Sequence, residues 1–178
     1  MSDRTIPADG IGMHLYTMRE ALAADYPGTL QRLAEIGYRT VGVSGRFGHS
    51  AEEIRSYADN HGHDFAEVDG QVLFDILLDE VEPDLLGFEL DLYWVVDGGK
   101  NPADYFRRHP GRFPALHVKD MAEDGSFADV GTGTLDFAAI FAEAESGGVE
   151  QWLVEHDAPV DEWESARTSY RSLVDLRY

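Results

Sequence analysis

Three short apolar runs, each closing on polar residues, constrain the fold of this chain more than any other feature. Phe113-Pro114-Ala115-Leu116-His117-Val118-Lys119-Asp120 ends in a His, a Lys and an Asp. Gly87–Trp94 before it carries Asp91, and Gln151–Asp157 after it carries Glu155. Buried parallel strands look like this when they deliver polar chemistry at their C-terminal ends. Asp91, His117 and Glu155 lie 26 and 38 residues apart. One βα unit takes about 30 residues, so successive units can bring the three side chains to one rim.

Between these runs the chain alternates strand-like and helix-like segments. Ile11–Thr17 reads as a first strand, and Arg19–Glu35 as a helix with Leu22, Leu30, Leu33 and Ile36 on one face and Gly37 at its C-terminus. Thr40–Ser44 is a second strand, and Ser50 with Glu53 forms a capping box for a helix running to Asp59. A third strand is expected through Asp64–Val68, a helix over Val72–Glu80, and the Asp91 strand over Leu85–Trp94. Pro102 opens a further helix, which ends near Arg108. A Gly-rich loop over Asp129–Asp136 precedes a helix at Phe137–Glu145, and Glu162–Leu176 is the last helix. With 178 residues and no linker or repeat, a single α/β domain with a parallel sheet follows.

Composition narrows the partners. The net charge is −20, with 34 acidic against 14 basic residues, and of the basic residues only Lys100 and Lys119 are lysines. So negative a field repels nucleic acid and anionic membrane. Acid excess with lysine depletion points to a protein adapted to a salt-rich cytoplasm, where charges are screened within a few ångströms; an acidic protein of an ordinary cytoplasm is the alternative. The absence of cysteine excludes disulfides and thiolate metal sites. Met1–Thr5 lacks the basic and apolar regions of a signal peptide, and no apolar run approaches the roughly 20 residues of a membrane span, so the cytoplasm is the expected location.

Carboxylates brought together repel, and a divalent cation relieves them. With the neutral nitrogen of His117, an O/O/N site suits Mn²⁺, Mg²⁺, Co²⁺ or Zn²⁺. Taken singly, each of the three is better explained as a solvated strand-end side chain; all three at strand ends with unit-length spacing make the metal reading its equal. His61 and His63 offer a further metal pair that could join Asp91, or a polar turn. Tyr16, Tyr93, Trp94 and Trp152 fit either a sugar platform or core packing. The Gly131-Thr132-Gly133-Thr134 loop lacks the Lys-Ser/Thr of a phosphate-binding loop, and no nucleophile elbow is present.

Five segments carry a resemblance: Gly12–Thr17, Phe88–Val96, Leu116–Met121, Asp129–Phe137 and Val154–Asp157. In their order and content they resemble the sugar phosphate isomerase/epimerase family, whose members are xylose isomerase-like TIM barrels. The resemblance implies a divalent metal at the C-terminal rim, with Asp91, His117 and Glu155 at the ligand positions and His61 as the fourth ligand. It implies isomerisation or epimerisation of a sugar or sugar phosphate through an enediolate. Glu155 would be the proton-transfer base, with Lys119 or His63 as oxyanion partner or second acid. His14, Tyr16, Trp94, Asp120 and His156 would contact substrate. A metal-dependent sugar lyase or dehydratase, or a non-catalytic metal- or sugar-binding subunit, are the alternatives.

A complete barrel of this kind takes roughly 250 residues, and the shortfall falls in one place. After the helix ending at Asp59 the sequence moves directly to His63-Asp64-Phe65, which resembles the tail of the family's fifth strand. The third and fourth βα units are therefore expected to be missing. The chain should form a shortened (β/α) TIM-like barrel of about five or six parallel strands over residues 1–178. Open sheet edges invite a partner chain, so a homodimer covering the gap is expected.

Overall fold

The computed structural model describes residues 4–42, 67–68, 71–80 and 87–178. Five parallel strands form the main sheet: β1 (Ile11–His14), β2 (Thr40–Gly42), β3 (Glu89–Asp91), β4 (Ala115–Val118) and β5 (Gln151–Val154). Their order is β2-β1-β5-β4-β3. The last strand pairs with the first, and the others follow chain order on either side. That is an arc cut from a barrel, as expected for the fold class. Among the described residues it is open between β2 and β3, the two strands that flank residues 43–88.

The strands have two unlike faces because side chains alternate. Leu90, Leu116, Val118, Trp152, Val154, Ile11 and Met13 share one face, and each is at most 5% exposed. They join one apolar cluster with Met18, Leu33, Phe106, Phe113, Phe141, Ala166 and Leu173 from the flanking helices and loops. The register places Glu89, Asp91, His117, Leu153, Gly12 and His14 on the opposite face. The apolar core thus lies between sheet and helices, and the inner face of the arc is left for polar groups.

The helices follow their start signals, with differences from expectation. The first is two helices, Arg19–Ala24 and Tyr26–Ile36, because Asp25 interrupts it and caps the second through the Gly28 N–H. Glu67–Val68 pairs antiparallel with Gln71–Val72, so this end of the expected third strand is a hairpin and not a parallel barrel strand. The Asp91 strand is shorter than predicted: Asp91 accepts from the Trp94 N–H and caps a helix over Leu92–Asp97. The predicted helix at Phe137–Glu145 is two pieces, Phe137–Phe141 and Ala144–Gly147. Glu162–Asp175 is helical, capped by Asp161. The predicted Ser50–Asp59 helix and its capping box, together with His61 and His63, lie outside the described residues. Among the described residues, no helix is long and apolar enough to cross a membrane.

Candidate active site and metal centre

Each functional side chain is delivered by a strand end. Pairing of β3 with β4 puts Asp91 beside His117, and β5 lies on the other side of β4, so Glu155 emerges next to both. The Glu155 N–H donates to Val118 O at 3.1 Å, which holds it there. His14 closes β1 on the same inner face. The Cβ that an alanine would add at Gly42 would stand 2.9 Å from His14 Cδ2, so the glycine makes room for the imidazole.

These residues form one connected group. His14 Nδ1 stands 2.7 Å from Glu155 Oε1, and His117 Nδ1 stands 3.0 Å from Glu155 Oε2 and 3.5 Å from Asp91 Oδ2. The two imidazole centroids are 4.5 Å apart. The ammonium of Lys119, with its side chain 3% exposed, sits 3.1 Å from Asp91 Oδ2, 2.9 Å from Glu155 Oε2 and 3.0 Å from Asp157 Oδ2. Glu89 Oε1 lies 2.7 Å from His117 Nε2.

The electrostatics follow from burial set against these contacts. Burial would raise the Glu155 pKa, but the imidazoles of His117 and His14 and the Lys119 charge hold it far below the usual carboxylate range. Burial opposes a charge on His117, yet Asp91, Glu155 and Glu89 keep its pKa well above the ordinary imidazole value. Lys119 is likewise held above its usual value by Asp91, Glu155 and Asp157 against burial. For Asp157 burial wins, and its pKa is raised despite Lys119.

The donor set fits a divalent ion. His14, His117 and Glu155 each offer a ligating atom, all within 4.8 Å of one another, and two imidazoles with carboxylate oxygen suit a first-row divalent metal. Neighbouring donors here stand 2.7–3.0 Å apart, close to the roughly 3 Å spacing in the shell of an ion bound at about 2.1 Å. Asp91 flanks this set as a further oxygen donor.

Of the residues singled out from sequence, Asp91, His117, Lys119 and Glu155 come together, and His14 joins them as a donor at Glu155. Trp94 lies near, its ring centroid 5.7 Å from the Lys119 ammonium. Asp120 has another partner: its buried carboxylate accepts backbone N–H groups of Met121, Leu135, Gly131 and Gly133 at 2.8–3.2 Å and so fixes the Gly-rich loop. A Cβ at Gly133 would come within 2.4 Å of that carboxylate. His156 makes none of the trio's contacts, and its ring lies 6.0 Å from that of Phe127. Its N–H donates to Thr17 Oγ1, its Nδ1 accepts from the Ala158 N–H, and burial lowers its pKa. Tyr16 is half exposed beside Arg19, and Trp152 belongs to the core.

Sequence reasoning missed Glu89, Asp157 and Phe127. Glu89 precedes Asp91 by two residues, and Asp157 follows Glu155 by two, so the period-2 alternation that pairs His117 with Lys119 was the available signal. Phe127 arrives on a hairpin formed by Asp120–Met121 and Phe127–Ala128. Its ring lies 5.5 Å from the Lys119 ammonium and 4.6 Å from the ring of Tyr93.

No family model matches the chain. An inosose dehydratase from Geobacillus kaustophilus is 25% identical over 146 residues, covering 71% of this chain and 47% of that protein, so the chain spans about half of this curated relative's length. A crystal structure of a sugar phosphate isomerase/epimerase from Parabacteroides distasonis superposes with a TM-score of 0.70 at 18% identity, covering 94% of both chains. A second structure so described from the same organism gives a TM-score of 0.51 at 28% identity over 65% of this chain and 40% of that one. A fusion of a xylose isomerase-like TIM barrel with a 4-hydroxyphenylpyruvate dioxygenase gives 0.56 at 14% identity over 96% of this chain and 42% of that one. The resemblance carried by the strand-end motifs is thereby borne out in three dimensions: this chain has the fold of the xylose isomerase-like sugar phosphate isomerase/epimerase proteins.

Proposed function

We propose that this chain isomerises or epimerises a ketose-like sugar or sugar phosphate, with divalent-metal assistance, by moving a proton on carbon next to a carbonyl. The observation that supports this reading is the meeting of two imidazoles, two carboxylates and an ammonium on one inner rim. A divalent ion bound there would supply Lewis acidity to a neighbouring carbonyl/hydroxyl pair. Asp91, His117, Glu155 and His14 are the residues that would hold it.

Glu155, which meets His14, His117 and Lys119 on the rim, is the residue assigned to accept the carbon-bound proton. The Lys119 ammonium supplies a hydrogen-bond donor for the developing oxyanion and is the candidate second acid. His63 shares that candidacy. Trp94 and Phe127 give the rim an apolar wall against which the C–H face of a sugar can lie.

A second reading is favoured by one observation, the sequence match to an inosose dehydratase. Elimination begins with the same proton abstraction, after which the β-hydroxyl leaves as water with a proton from the acid.

Solvent deuterium exchange tests both readings. The protein is incubated with Mn²⁺ and a panel of ketoses, ketose phosphates and inososes in D₂O. Carbon-bound deuterium without loss of water supports isomerisation, and loss of water supports elimination. Exchange that survives chelation, or the Glu155→Gln substitution, refutes the mechanism.

A further inference from the structure

The candidate site carries its own cation. Lys119 follows His117 by two residues, so the strand aims both side chains at the inner rim. Its ammonium touches three carboxylate oxygens. Two of them, Asp91 Oδ2 and Glu155 Oε2, are the same oxygens that stand nearest His117 Nδ1. The third, Asp157 Oδ2 at 3.0 Å, belongs to no residue of the donor set. Carboxylates gathered around one point repel unless a positive charge joins them, and in this arrangement the ammonium does what a divalent ion would otherwise do.

We infer that Lys119 competes with the divalent ion for Asp91 and Glu155, and that Asp157 is the seat to which the ammonium withdraws when the ion enters. This rests on the metal-site reading above. An ion bound to Asp91 Oδ2 and Glu155 Oε2 takes lone pairs that the ammonium uses, and two cations sharing those oxygens repel. Asp157 keeps one charged hydrogen bond for Lys119 after both others are given up. The aromatic rings of Trp94 and Phe127, 5.7 and 5.5 Å from the ammonium, bound its path on the other side and favour a cation there. Asp157 is therefore a positioning residue, acting on the ion through Lys119.

The inference sets opposite signs for two neighbouring variants, which loss of packing alone does not produce. Mn²⁺ is titrated calorimetrically into metal-stripped full-length protein at one pH and salt concentration. The wild type is compared with Lys119→Gln, Asp157→Asn and the double variant, each checked by circular dichroism. Lys119→Gln should bind Mn²⁺ at least about tenfold more tightly than wild type, because its competitor is gone. Asp157→Asn should bind at least about threefold more weakly. The double variant should match Lys119→Gln within about twofold, since Asp157 acts only through the ammonium. If Lys119→Gln fails to fold, weaker binding by Asp157→Asn supports the inference and equal or tighter binding overturns it. Unchanged or weaker binding by a folded Lys119→Gln overturns it, as does an Asp157→Asn loss that persists in the double variant. Wild type and variants that bind Mn²⁺ equally overturn the competition while leaving the metal site standing. Failure of all four to bind Mn²⁺ overturns the metal-site reading itself.

Discussion

Asp120 and Lys119 are neighbours with opposite duties, and the alternation of a strand explains why. Lys119 shares the inner face with His117, whereas Asp120 points the other way and accepts four backbone N–H groups that shape the Gly-rich loop. Hydrogen bonds to a charged group contribute about 1.5–3 kcal/mol each, and stranded donors regain part of that from water. Asp120→Ala should therefore destabilise the fold by about 3 kcal/mol in urea unfolding, while Mn²⁺ affinity of the folded fraction changes little. The strand-end chemistry of Asp91, His117 and Glu155 was legible in the residue types and their spacing. The period-2 rule was equally present in the sequence, and applied strictly it separates Asp120 from His117 and Lys119. It also adds Glu89 and Asp157. What the sequence could not reveal is that His14 reaches Glu155, because β1 and β5 are joined only by closure of the fold.

Among the elements, β4 is central to the site because it carries His117 between β3 and β5 and leads directly into Lys119. Its Leu116 is fully buried in the core, so Leu116→Ala should cost about 2–5 kcal/mol, measured as a shift in urea midpoint without a change in slope. The final helix is anchored differently. Asp161 accepts from the Trp163 and Glu164 N–H groups, and these bonds lower its pKa from 3.8. A carboxylate depressed in the folded state stabilises above its unfolded pKa and loses that contribution on acidification. The stability difference between wild type and Asp161→Ala should be constant at neutral pH and shrink as pH falls below about 3.8. This helix was readable from its cap. The break at Asp25 was readable too, since Pro27 lies in the first turn of the second helix, but the continuous apolar periodicity across Arg19–Glu35 outweighed it. The shortness of β3 was not readable, because Leu92–Trp94 suits strand and helix alike and the Asp91 cap decides between them.

For the molecule as a whole, the strand order reproduces a barrel arc whose two ends flank residues 43–88. The apolar strand interiors and polar strand ends made the parallel sheet legible. The expected loss of the third and fourth βα units falls on residues outside those described, and the 94% mutual coverage with a solved structure shows that a chain of this length has a counterpart in the same fold. A net charge of −20 should make the fold salt-dependent. Screening shrinks from about 30 Å at 0.01 M to about 3 Å at 1 M salt, so the thermal midpoint should rise over that range, and calorimetry showing no change would remove the halophilic reading. A homodimer across the open edges should appear as twice the chain mass by light scattering in high salt, and a monomer there would exclude it. On the proposed reading, the inner rim binds a divalent ion through strand-end donors. Equilibrium dialysis of metal-stripped protein against Mn²⁺ tests it most directly. One ion per wild-type chain, lost on Asp91→Ala and on His117→Ala, is the predicted result, and a wild type that binds none, or an ion retained by both variants, would contradict it.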